Sequence, residues 1–190
     1  MCGRYTFTKE SYESGYDFSP SYNIAPSQTA PTLVKEGNQL VRQNMQWGYP
    51  IGNRNKLVNA RCENLYKLPS YKNAKRCAVP FSGWYEWFQF EDKSKHPFYF
   101  FVRNLDLHFA GIYVEGGYCI LTRPASTPVK RYHHRMPVLL KKFEVDTYIN
   151  GNDPFRSGVH NRVECHAVSK EVNNPRNNHE ELIRPILSFG

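Results

Sequence analysis

The feature that most restricts this fold is a succession of short runs rich in aromatic and β-branched residues: Arg76 to Phe90, Pro97 to Arg103, Leu107 to Val114, Tyr118 to Thr122, Pro137 to Leu140 and Val163 to Ser169. Such runs fit a pleated, half-buried surface and read as strands. Residues 3 to 7 add a strand beginning almost at the first residue, and Thr32 to Trp47 reads as a hairpin turning at Gly37 and Asn38. Helices are few. Thr8 can cap a short one carrying Tyr12 and Tyr16 one turn apart, and Asn64 to Tyr71 and Phe143 to Asn150 are the other two. The expected class is α+β, with a dominant, mostly antiparallel and barrel-like sheet and a few short helices. No composition break, linker or repeat divides the 190 residues, so one domain is expected over residues 1–190.

Lys and Arg total 25 against 17 Asp and Glu, a formal charge of +8 that favours polyanionic partners, phosphate foremost. The aromatic residues (13 Tyr, 12 Phe, 3 Trp) can fill a core or stack on unpaired bases. Five Cys, at 2, 62, 77, 119 and 165, form an odd set with no CxxC pair, which argues against a closed disulfide framework and a paired-cysteine zinc site. The first residues contain no apolar leader, and no stretch approaches the ~18 apolar residues of a membrane helix. A cytoplasmic protein without membrane attachment is expected.

Cys2 is the most informative residue. Removal of Met1 would leave a terminus bearing both an amine (ordinarily titrating at about 7.7–8.0) and a thiol (about 8.5), each a modest shift from being a nucleophile. With an aldehyde the amine gives an imine, and the thiol can close on the same carbon to form a thiazolidine. The alternative is a Cys that merely begins a buried strand. Glu86, in Gly83-Trp84-Tyr85-Glu86-Trp87-Phe88, shares a strand face with Trp84 and Phe88, and desolvation there would raise its pKa toward a general acid/base role; a sheet-edge salt bridge is the alternative. His133 and His134, between Arg131 and Arg135, fit a loop that moves protons beside a phosphate, or two solvated histidines in a basic patch. No carboxylate or Cys lies near them at ligand spacing, so no metal is expected. In Asn59-Ala60-Arg61-Cys62-Glu63, Asn can orient a substrate and Arg can fork onto phosphate. Phosphate loops, H-E-x-x-H and G-x-S-x-G are absent.

Taken in order, Met1-Cys2-Gly3-Arg4-Tyr5, Tyr22-Asn23-Ile24-Ala25-Pro26, Trp47-Gly48-Tyr49, Asn59-Ala60-Arg61-Cys62-Glu63, Gly83-Trp84-Tyr85-Glu86-Trp87, His133-His134-Arg135-Met136-Pro137 and Cys165-His166-Ala167-Val168-Ser169 closely resemble the SOS response-associated peptidase (SRAP) family from residue 2 to about 174. The resemblance implies a β-rich domain with a positive groove that binds single-stranded DNA, captures abasic sites covalently through Cys2 and so shields the lesion. It implies Asn59, Glu86 and His133 as the other active-site residues, and Arg4, Asn23, Trp47, Arg61, Trp87, Thr122 and Arg135 as groups near the DNA. An autoproteolytic activity that exposes Cys2, a weak abasic-site lyase activity, no metal or other cofactor, and a monomer associated with DNA complete the expectation. Two other readings use the same residues: a cysteine-type autoprocessing peptidase acting on amide bonds through Cys2, His133 and Glu86, and a noncatalytic single-strand binding module with a structural Cys2. The chain departs from the family pattern at His134, where Asp is common, and at Ile51-Gly52-Asn53-Arg54, where another Trp often follows.

Overall fold

Several of the longest strands of the chain are buried on both faces, and the strands form two large sheets that share a core, and one small two-stranded sheet. The computed structural model describes residues 2–8, 19–52, 55–153, 155 and 158–186. Among the described residues the strands are β1 (Arg4–Phe7), β2 (Ser21–Ile24), β3 (Thr29–Glu36), β4 (Gln39–Gln46), β5 (Tyr49–Ile51), β6 (Asn55–Leu57), β7 (Asn59–Arg61), β8 (Lys75–Phe81), β9 (Gly83–Gln89), β10 (Lys95–Phe101), β11 (Leu107–Val114), β12 (Gly117–Pro124), β13 (Arg135–Pro137), β14 (Leu139–Lys141) and β15 (Glu164–Ala167), with one α-helix, α1 (Lys142–Ile149). The first sheet runs β15-β10-β9-β1-β2 and the second β13-β12-β11-β8-β3-β4, with β14 also on β11 and β7 on β12. Pairing is antiparallel apart from the parallel β7–β12 ladder and an isolated parallel bridge between Trp47 and Tyr118. Neither sheet closes on itself among the described residues, so the expected barrel resolves into two open sheets.

Residues from the facing sides of both sheets make the main core: Tyr5, Phe7, Trp84, Phe98 and Phe100 from the first, Val79, Phe81, Phe109, Tyr118 and Ile120 from the second. Phe81 and Phe109 stack across neighbouring strands with ring centroids 3.7 Å apart. Alternate residues of the second sheet, among them Ala78, Ile112, Leu121 and Leu140, bury against Val145 and Tyr148 of α1. On the outer side of the first sheet, Tyr85 and Tyr99 pack on Val168, Val172 and Leu182 of the carboxy-terminal segment.

The hairpin expected about Gly37 is β3–β4, and Gly37 takes φ +57°, which suits a residue without a Cβ. The run Arg76 to Phe90 is two strands. Ser82 separates them, its N–H donating to Thr6 O at 2.8 Å, and the chain passes there from the second sheet to the first. Phe143 to Asn150 is α1 to within a residue at each end. The helix expected over Asn64 to Tyr71 is instead two 3-10 turns, Cys62–Asn64 and Pro69–Tyr71. Pro69 disfavours helical geometry at the residue before it, and Leu68 is extended (φ −93°, ψ 128°). The helix expected to carry Tyr12 and Tyr16 lies outside the described residues. Among the described residues, no helix is long and apolar enough to cross a membrane.

Candidate active site

Strand β1 is interior to the first sheet, with Arg4 opposite Tyr85, Tyr5 opposite Trp84 and also opposite Ile24. Tyr5 pins it further: its ring meets Trp47 and Phe109 edge-on, and its hydroxyl lies 2.7 Å from that of Tyr118. Cys2, two residues ahead of the strand, therefore enters the space between the sheets and is 0 % exposed. Across that space Asn59, at the start of β7, donates from Nδ2 to Cys2 O at 2.8 Å. Asn59 Oδ1 is buried with no hydrogen-bond partner among the described residues, leaving an acceptor available beside Cys2.

Glu86 lies on β9 opposite Phe98, and is 2 % exposed. Trp84 and Phe88 flank it on the same side of the strand. Burial raises its carboxyl to about 7, against the opposing pull of the positive charge at the chain's amino end. Such a group is close to half ionised near neutrality, the condition for moving a proton both ways. The Cys2 thiol is pushed well above its ordinary value, first by burial and then by the charge of Glu86. It is a neutral thiol in this setting.

His133 follows a 3-10 turn, Val129–Arg131, and is half-buried. Burial, then the charge at the amino end, lowers its pKa. Its ring stacks on His134 with centroids 4.5 Å apart. Tyr132 fastens the loop, packing on Phe98, Phe100 and Phe88 at 4.6, 5.2 and 5.6 Å. No expectation singles out Tyr132; its only signal is an aromatic residue directly before the histidine pair. Asn59 is thus tied to Cys2 by a hydrogen bond, Glu86 to Cys2 by its charge, and Glu86 and His133 both to the charge at the amino end.

The residues expected near DNA divide differently. Arg61 is exposed and Trp87 partly so, Trp87 Nε1–H donating to Asn173 Oδ1 at 2.7 Å. Arg4 is half-buried and donates to Asn23 Oδ1 and to the carbonyls of Val172 and Asn173, which lowers its availability for phosphate. Four others lie in interior positions. Trp47 is 0 % exposed, with Nε1–H donating to Val58 O at 2.9 Å, so its ring offers no face to a base. Asn23 spends its amide on the carbonyls of Val172, Asn174 and Asn177. Thr122 is fully buried and donates to Ala60 O. Arg135 is buried and forks onto Glu63 at 2.7 and 2.8 Å, so its guanidinium faces a carboxylate of this chain rather than solvent. In the sequence Glu63 stands only as part of a polar cluster; the sign of its charge beside several cations is the available signal. Among the described residues, no three His, Cys, Asp or Glu side chains gather as metal ligands.

A family model described as SOS response associated peptidase (SRAP) matches residues 1–175. The chain belongs to the SRAP family. Among SRAP relatives it is 30 % identical to the abasic site processing protein YoqW of Bacillus subtilis, over 96 % of this chain and 99 % of that one. It is 27 % identical to the abasic site processing protein YedK of Escherichia coli, over 98 % and 100 % of the two chains. The abasic site processing protein HMCES of Gallus gallus is 27 % identical over 89 % of this chain and 67 % of its own. The SRAP fold recurs in the crystal structure of a phage-related protein from Bordetella bronchiseptica, with a TM-score of 0.71, 24 % identity and coverage of 89 % and 95 %. A protein structure from Bacteroides thetaiotaomicron gives a TM-score of 0.70 at 20 % identity, covering 97 % and 93 %.

Proposed function

We propose that this protein processes abasic sites in DNA, capturing the ring-opened aldehyde of the sugar in single-stranded DNA through the amine and thiol of Cys2 after Met1 is removed. The observation that carries this reading is the placement of Cys2, held through its carbonyl by Asn59 within the electrostatic reach of a buried Glu86. The names of the relatives, abasic site processing proteins, point to the same lesion.

In the first step the Cys2 nitrogen adds to the aldehyde carbon and gives a carbinolamine. Glu86, protonated at a pH below about 7, donates to the hydroxyl, which leaves as water as the imine forms. The Cys2 sulfur then adds to the imine carbon; its proton passes, through the Glu86 carboxylate, to the nitrogen. The product is a five-membered thiazolidine, and the balance is aldehyde plus aminothiol to thiazolidine plus one water. Asn59 keeps the terminus in register, and His133 assists proton transfer at the sugar oxygen. Exposed Arg61 and the partly exposed ring of Trp87 suit phosphate and base contacts.

Intact-mass measurement after mixing with an abasic oligonucleotide tests the proposal. The expected species has lost Met1, gained the oligonucleotide and lost one water. A protein that keeps Met1, or that remains at its own mass through prolonged incubation, overturns it. Cys2→Ala is expected to form no adduct while binding intact single strands within about twofold of wild type, since affinity rests on phosphates. Cleavage of peptides in trans without an adduct would favour the peptidase reading instead.

A further inference from the structure

The bonds around Arg135 describe a device that the capture reaction does not itself use. Its Nη1–H and Nη2–H donate to the two Glu63 oxygens at 2.7 and 2.8 Å, and Nη2 also donates to Thr122 O at 2.6 Å. The Arg135 side chain is 9 % exposed and that of Glu63 41 %, so the pair closes at the surface and is anchored below it. Bidentate pairs of this kind are charge-assisted and geometrically strict. The hydrogen bonds to Arg135 hold the Glu63 carboxyl down at about 2, so the pair stays ionised through the neutral range.

The backbone of the same arginine meets the candidate proton carrier. Arg135 N–H donates to His133 Nδ1 at 3.0 Å. The Arg135 carbonyl lies 3.1 Å from that nitrogen, and would become its partner only if Nδ1 carried a proton. A protonated Nδ1 would set two N–H groups against each other. A backbone amide is always a donor, so the amide selects the lone pair at Nδ1, and in the neutral ring the proton then resides on Nε2.

We propose that Glu63 and Arg135 are positioning residues whose ion pair holds the Arg135 amide against His133 Nδ1, fixing the neutral ring as its Nε2–H tautomer. The value of this tautomer for catalysis rests on the abasic-site reading; the tautomer itself does not. Arg135 acts here through its backbone, with its charge spent internally on Glu63.

The test is ring-nitrogen NMR of the full-length, 15N-labelled protein near neutral pH, with His133→Gln supplying the assignment. The expected wild-type signature is an unprotonated Nδ1 and a protonated Nε2. Glu63→Gln and Arg135→Lys are each expected to mix in the Nδ1–H form and to slow single-turnover abasic capture on the order of 10- to 100-fold, with DNA affinity changed by less than about twofold. A wild-type ring with its proton on Nδ1 overturns the proposal by itself, whether or not either variant folds. Variants that keep the wild-type tautomer also overturn it. So does Glu63→Gln that binds DNA more tightly and reacts at least as fast, the behaviour of an arginine released to bind phosphate. Because the spectrum needs no DNA, failure of wild-type protein to form an adduct would remove the abasic-site function while leaving the tautomer result to stand or fall alone.

Discussion

Glu86 holds a carboxyl among rings at a cost to stability whose sign can be worked out. Its folded-state pKa, about 7, lies above the ordinary value of 4.5, so between those limits the folded chain binds more protons than the unfolded one. Stability therefore falls as pH rises through that window, by about 3 kcal/mol at ~1.4 kcal/mol for each tenfold in proton affinity. Glu86→Gln cannot titrate. Denaturant midpoints should show the variant gaining on wild type by roughly that amount between about pH 5 and pH 8, and a constant gap would show that the carboxyl is ionised throughout. The same variant is expected to slow single-turnover capture on the order of 10²- to 10⁴-fold, since it keeps the shape and removes the proton carrier. An unchanged rate would take Glu86 out of the reaction. The position of Glu86 among aromatic neighbours was legible from its spacing alone, as was the placement of Cys2 before a strand. Arg135 was not, because a basic side chain beside two histidines carries no mark of whether its counter-charge is a phosphate or a glutamate 72 residues earlier.

Among the elements, short strands were legible wherever apolar runs stood alone, as in Leu107–Val114, which coincides with β11. What local pattern could not convey was the assignment of strands to sheets. Ser82 sits in an uninterrupted β-rich run, yet the chain changes sheet there because Thr6, far away in sequence, offers its carbonyl to the Ser82 amide. Trp47 shows the converse: an isolated Trp beside Gly48 fits a stacking platform as well as a core, and only the closure of Tyr5, Tyr118 and Val58 around it decides the matter. The β9–β10 ladder supplies a test at this scale. A Cβ on Gly83 would fall 2.2 Å from Tyr99 Cζ, and that ring cannot swing aside, being 5 % exposed with its hydroxyl 2.9 Å from Thr6 Oγ1. Gly83→Ala should cost about 1–3 kcal/mol or more in urea unfolding and lower adduct yield by displacing β1 from β9. Wild-type stability in that variant would mean that the two strands pack more loosely than described.

For the molecule as a whole, the charge of +8 would make the proposed binding to single strands an ion-exchange process. Affinity should fall steeply with salt, and Arg61→Ala should flatten the log–log slope by about 0.7, the value for one phosphate contact on a single strand. A slope identical to wild type would place Arg61 off the DNA path. Trp47→Phe, in contrast, should leave that slope unchanged and register in thermal stability, because its ring is packed inside.

The arrangement of β1 also bears on folding. Its ladder partner β9, with Tyr5 against Trp84, lies some eighty residues further along the chain, and β9 in turn pairs with β10, which carries β15. The enclosure of Cys2 therefore depends on contacts between segments far apart in sequence, the kind that form slowly because a long loop must close before they are gained.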